Sequence, residues 1–294
     1  MKPGLARLVL CFATVYLVWG SSFLMVRIGV QHLPPLLFSA GRCVIAGVLL
    51  LAVARWRGEK LPRTRREWRL MVFFAVTMIV FSNGPVTYAL QYLPSNEVAL
   101  LNASIALWIA WLGTLGAKGQ PLALRSWSGL AFGFAGVALL VWRGEFRLDA
   151  HLGWQLLALL ASVVWASGSI VYRNSALQSG PIAFNGAMML LGALGLGAGG
   201  VAAGELARWN WAPGGLWAML YLGVFASAIT YTAYLWLIKN ARTDHVATFA
   251  YVNPAIATLL GWIVLGEHLA PAQLAGMLIV LAGVALVTLP SRLA

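Results

Sequence analysis

Ten apolar stretches of membrane-crossing length follow one another along this chain, with little between them. A helix rises 1.5 Å per residue, so about 20 mainly apolar residues cross a hydrocarbon core of about 30 Å. The stretches fall at 8–28, 34–54, 70–91, 96–117, 126–142, 152–172, 181–202, 214–237, 245–265 and 272–290. Short connections carrying Pro, Gly or charge separate them, as at Leu33–Pro35 and Ser179–Pro181. With 61% hydrophobic and 10% charged residues, the chain lacks the polar side chains to coat a soluble body. The expectation is an all-α integral membrane protein, with residues 1–294 as one membrane domain.

The first stretch has the basic head and apolar run of a signal peptide. Its run is long and a similar segment recurs in mid-chain, so it reads as a retained first helix. The net charge of +12 is unevenly spread. With the N-terminus in the cytoplasm and ten alternating spans, fifteen of the twenty Lys and Arg residues face the cytoplasm. That is the positive-inside bias, and it puts both termini in the cytoplasm of a bacterial inner membrane. The basic run Arg55–Arg69 is then a topology anchor at anionic headgroups rather than a nucleic-acid patch. Cys11 and Cys43 sit near opposite ends of the first two spans, so no disulfide is expected.

An internal repeat sets the architecture. Gly129–Val141 (GLAFGFAGVALLV) matches Gly276–Thr288 (GMLIVLAGVALVT) at an offset of 147. Trp19–Arg27 (WGSSFLMVR) matches Trp165–Arg173 (WASGSIVYR) at 146, and Ser95–Ala99 matches Thr243–Ala247 at 148. The repeats are 1–147 and 148–294. Five spans each is an odd number, so the second copy enters the membrane from the opposite side. Two inverted five-helix repeats are a common plan of secondary transporters, with the substrate site where the halves meet.

Over essentially its full length the chain resembles the EamA type of the drug/metabolite transporter superfamily. The resemblance rests on WGSSF, on LPPLLFSAGRCVIAG (Leu33–Gly47), on LGEHL (Leu265–Leu269) and on AGVAL in both halves. Within that family it looks closest to YddG-type exporters of aromatic and other neutral amino acids. The resemblance implies a ten-helix transporter of small metabolites. One departure is that Gly119-Gln120 stands in the first half where the second has Gly266-Glu267.

Polar groups inside spans are costly unless they are paired or face water, so they mark candidate sites. The third stretch ends in FSNGPVTYALQY, where Asn83-Gly84-Pro85 should loosen the helical hydrogen bonds. Helical spacing puts Gly84, Tyr88 and Gln91 on one face. The same spacing aligns Glu97, Leu101, Ser104 and Trp108, then Ser162, Trp165, Ser169 and Tyr172, then Ser227, Tyr231 and Tyr234. Trp108 and Trp165 lie well inside their spans, away from the interfacial belt where such residues usually serve. The expected substrate-binding set is Tyr88, Trp108, Trp165, Ser82, Asn83, Ser104, Ser169 and Tyr231, rings for stacking and polar groups for hydrogen bonds. Plain packing is the alternative at each position. Arg42 is the one charge deep in a span, matched by Met189 in the second half. It holds a substrate carboxylate, pairs with helix carbonyls, or snorkels to an interface.

Other patterns carry nothing. Gly195–Gly200 fits GxGxxG, but no strand precedes it. Asn102-Ala103-Ser104 is a glycosylation pattern inside a span. No His, Cys, Asp and Glu spacing fits a metal, and no nucleophile stands beside a base. No cofactor is expected, and neither is an enzyme acting on lipid. The partners expected are the lipid bilayer and a small molecule, amino acids first; the number of copies in an assembly is left open. The rival cargoes on the same fold are a nucleotide-linked sugar, which calls for several cavity cations where only Arg42 offers itself, and a cationic drug exchanged for protons. The drug calls for an embedded carboxylate, and none is evident.

Overall fold

A computed structural model describes residues 4–115, 121–141, 149–241, 243–246 and 248–288. The first half holds α1 (Leu5–His32), α2 (Pro35–Trp56), α3 (Arg65–Ala89), α4 (Ser95–Leu112) and α5 (Leu124–Val141). The second holds α6 (Ala150–Asn174), α7 (Pro181–Ala202), α8 (Pro213–Asn240), α9 (Phe249–Leu265) and α10 (Pro271–Thr288). No strand occurs among the described residues. Seven helices, α1 to α4 and α6 to α8, are long and apolar enough to cross a membrane, and α5, α9 and α10 contain shorter apolar helices. The stretch expected at 245–265 is not continuous. A separate helical turn at Thr243–Val246 precedes α9.

The connections explain where helices start and stop. Proline opens α2, α7, α8 and α10, where its missing N–H and fixed φ cost nothing. Thr64 caps α3 by accepting the Glu67 amide, and Asp149 caps α6 by accepting that of Leu152. Gly266 ends α9 at φ +64, and the next amide, Glu267 N–H, returns to Gly261 O.

Among the acidic side chains that reach farther, two form a matched pair. Glu59, just past α2, accepts the amides of Ile182 and Ala183 at the start of α7. Glu205, just past α7, accepts those of Leu36 and Leu37 at the start of α2. Each helix start is thus capped from beyond the end of the other helix, and each carboxylate sits at the positive end of a helix dipole.

The outside and inside carry the polarity of a bilayer protein. Leu10, Leu160, Leu194 and Ile263 are exposed, while Ser39, Gln155, Asn185 and Glu205 are fully buried. Helix α2 packs along α7, and α5 along α10. In the second pair the backbones touch. A Cβ added to Gly283 would lie 2.4 Å from Gly133 N, and one added to Gly136 would lie 2.6 Å from Val280 N.

Two helices widen in mid-course. Ala75–Asn83 of α3 and Leu222–Thr230 of α8 are π-helical, at an offset of 147. Gly84 N–H bonds to Ile79 O and Tyr231 N–H to Ala226 O, five residues back in both cases. The loosening expected at Asn83-Gly84-Pro85 is therefore present, but proline is not its shared cause. The position matching Pro85 in α8 is Thr232.

Candidate binding cavity

The widened parts of α3 and α8 face a cavity of about 100 Å³. Its walls come from both halves: α1 to α4 on one side, α6 to α9 on the other.

One wall is aromatic. Trp19 of α1 lies at its centre, 5.7 Å from the Trp165 ring, 6.1 Å from Tyr231 and 5.8 Å from Phe249, all edge-on. Edge-to-face rings hold one another in fixed orientations. Hydrogen bonds fix them further. Trp19 Nε1 donates to Ala226 O at 3.2 Å, in the π-helical part of α8. Trp165 Nε1 donates to the Tyr234 hydroxyl at 3.1 Å, and Ser169 Oγ bonds the same hydroxyl at 3.0 Å.

Another part of the lining is polar and centres on Asn83. Its Nδ2 donates to Met78 O at 2.8 Å, inside the widened turn. Its Oδ1 accepts from Arg42 Nη2, also at 2.8 Å. Its carbonyl accepts from Thr87 Oγ1, which in turn accepts from Ser39 Oγ. Asn102, Ser227 and Asn253 add polar groups to the lining, and Pro254 stands inside α9 beside the last of these.

Of the eight residues expected from sequence, Ser82, Asn83, Trp165 and Tyr231 line the cavity. The other four stand elsewhere. Tyr88 packs against Tyr92 and Trp154. Trp108 packs on Phe134 and donates to Ser104 Oγ at 3.2 Å, while Ser104 donates to Leu101 O. Ser169 stands behind the wall, where it orients Tyr234 and through it Trp165. The difference on α3 is a rotation of one residue. The cavity takes Asn83, Val86, Thr87 and Leu90, not Gly84, Tyr88 and Gln91. One residue is about 100° around a helix, enough to turn a wall residue into a packing residue.

Trp19, Phe249, Thr87 and Asn102 line the cavity without having been expected there. Trp19 had a signal, since it is the repeat counterpart of Trp165. Glu267 caps α4 from across the molecule, accepting from Ser95 N at 2.8 Å and Ser95 Oγ at 2.7 Å. Glu97 accepts from Gln155 Nε2 at 2.7 Å and lies 2.9 Å from His151 Nε2. Gln120, the counterpart of Glu267 in the repeat alignment, lies outside the described residues. Among the described residues no group of three His, Cys, Asp or Glu side chains is placed to hold a metal ion.

The EamA-like transporter family model matches the chain twice, at residues 6–142 and 152–289. The chain belongs to that family. An uncharacterized inner membrane transporter of Escherichia coli strain K12, YedA, is 34% identical over 94% of this chain and 88% of its own. A probable amino-acid metabolite efflux pump of Salmonella typhimurium strain LT2 is 24% identical over 92% of this chain and 90% of its own. A solved crystal structure aligns with 96% of this chain and 97% of its own at a TM-score of 0.73 and 21% identity, so the two share a fold. The protein is a membrane transporter, not an enzyme, and its partners are a bilayer and a small molecule.

Proposed function

We propose that the protein exports small neutral metabolites, amino acids first, through this cavity by alternating access. In this reading it is a ten-helix protein of two inverted five-helix repeats, 1–147 and 148–294. It sits in a bacterial inner membrane with both termini in the cytoplasm. The observation that carries it is the position of the cavity between matched elements of the two halves. Trp19 and Trp165, Arg42 and Met189, and Ile79 and Ala226 pair at offsets of 146 or 147, and all six line it. Transporters built from inverted repeats place their cargo at such a junction and rock one half against the other.

The lining suits an amphipathic cargo, since it offers rings as well as amides and hydroxyls. The efflux pump of Salmonella typhimurium, named for amino-acid metabolites, agrees with that cargo class. The sequence resemblance to YddG-type exporters adds aromatic amino acids, for which the ring-lined part of the cavity offers stacking surface. Among the described lining residues there is no Asp or Glu, which weighs against the alternative of a cationic drug driven by protons.

Counterflow in proteoliposomes tests this, using labelled threonine, phenylalanine, tryptophan and a cationic dye with and without a proton gradient. Saturable amino-acid exchange without a gradient is the expected result. Movement of the dye alone, or movement only with a gradient, overturns the cargo or the mechanism respectively.

A further inference from the structure

A single charged side chain lines the cavity among its described walls. Arg42, in the middle of α2, is only 6% exposed. Its Nη2 donates to Asn83 Oδ1, and its Nε is buried without a partner. No carboxylate pairs with it among the described residues. A guanidinium removed from water is costly unless an anion or a full set of acceptors meets it. A single amide oxygen falls short of that. The side chain has not snorkelled to an interface either, since it lies along the cavity.

The second half shows what packing alone requires at this place. Met189, the counterpart at an offset of 147, lines the same cavity with an uncharged thioether. The charge on the first half therefore serves something other than fit. Two more polar atoms on lining residues lack partners in the protein: the hydroxyl of Tyr231 and Oδ1 of Asn253, on residues 3% and 5% exposed. The first is a donor and the second an acceptor. Both belong to the cavity lining.

Building on the amino-acid reading above, we propose that Arg42 is the subsite for the cargo's carboxylate, with the Tyr231 hydroxyl as a second donor. The cavity then admits carboxylic acids in their ionised form and turns away their amides and net cations. Charge-assisted bonds from a guanidinium fork are the strong, geometrically selective kind. A zwitterion's ammonium finds Asn253 Oδ1 and the faces of Trp19 and Trp165.

The test is calorimetric binding to the full-length protein in nanodiscs. The probes are L-threonine, L-threoninamide, 2-oxobutanoate and tetraphenylphosphonium; the proteins are wild type, Arg42→Lys and Arg42→Met. Wild type should bind threonine roughly 30-fold or more tighter than threoninamide, the scale of losing one partner of a buried charged pair. Arg42→Met, which copies the second half, should bind the two alike, and Arg42→Lys should keep part of the preference. If 2-oxobutanoate binds wild type but threonine does not, the carboxylate subsite stands and the amino-acid cargo falls. Equal binding of threonine and threoninamide to wild type, or an undiminished preference in Arg42→Met, overturns the subsite and leaves the cargo reading standing. Binding of the phosphonium alone overturns both. Should Arg42→Met fail to fold, the ratio of threonine to threoninamide on wild type decides.

Discussion

Glu59 and Glu205 cap each other's helices: Glu205 Oε2 accepts the Leu37 amide at 2.8 Å, and Glu59 Oε2 accepts the Ala183 amide at 3.0 Å. The two sites are equivalent in pattern but not in burial, since Glu205 is fully buried and Glu59 is partly exposed. Glu205→Gln should therefore cost more than Glu59→Gln, roughly 1–2 kcal/mol against a few tenths. Thermal unfolding of the purified protein in detergent measures both. Equal losses would mean that burial does not set the strength of these caps.

The contact of α5 with α10 makes a second prediction. Gly283→Ala puts a methyl group against the Gly133 backbone, which has no side chain to move aside. The helices must part, at a cost of about 1–3 kcal/mol. Gly153→Ala, in α6 with nothing within 4 Å of the added Cβ, should be neutral or slightly stabilising. The paired thermal midpoints check it, and a silent Gly283→Ala would show that the backbones do not touch.

Trp165 and Trp108 should separate on substitution. Trp165→Ala removes a cavity wall, and transport should fall at least about tenfold as the stacking surface is lost. Trp108→Ala removes a ring packed on Phe134, 4.6 Å between centroids, and should lower stability by about 1–3 kcal/mol. Transport per folded molecule should be nearly unchanged. Counterflow normalised to folded protein distinguishes them, and a transport defect in Trp108→Ala alone would reverse the two roles.

The widened turn of α3 yields the last prediction. Because α8 has the same turn with Thr232 at the matching place, Pro85→Ala should leave both the turn and transport intact. Asn83→Ala removes the acceptor of Arg42 and the donor to Met78 O, and transport should drop by an order of magnitude or more. Counterflow of both variants is the measurement. A larger defect in Pro85→Ala would return the proline to the centre of the turn.

Sequence reading located the helices well because the membrane imposes one length and one polarity on every span. The stretch read as 181–202 is α7, residue for residue, and most other edges shift by a few positions. Site residues were harder. On α3 the predicted stripe, Gly84, Tyr88 and Gln91, has the right spacing but starts one residue after the true one, Asn83, Thr87 and Leu90, because spacing alone does not say which face meets the cavity. On α4 the wall is Ala99, Asn102 and Ala103, beside the expected face of Leu101, Ser104 and Trp108. The caps by Glu59, Glu205 and Glu267 left no local trace, since each joins residues more than a hundred positions apart. Only the repeat alignment reaches that far, and it pointed to Trp19 through Trp165.

Met189 opposite Arg42 has a consequence of its own. A chamber made of two like halves has no head or tail, and a guest lies in it either way round at equal energy. One guanidinium on one wall ends that equivalence. A molecule's carboxylate end has one berth here, and that berth belongs to α2 whichever side of the membrane the molecule entered from.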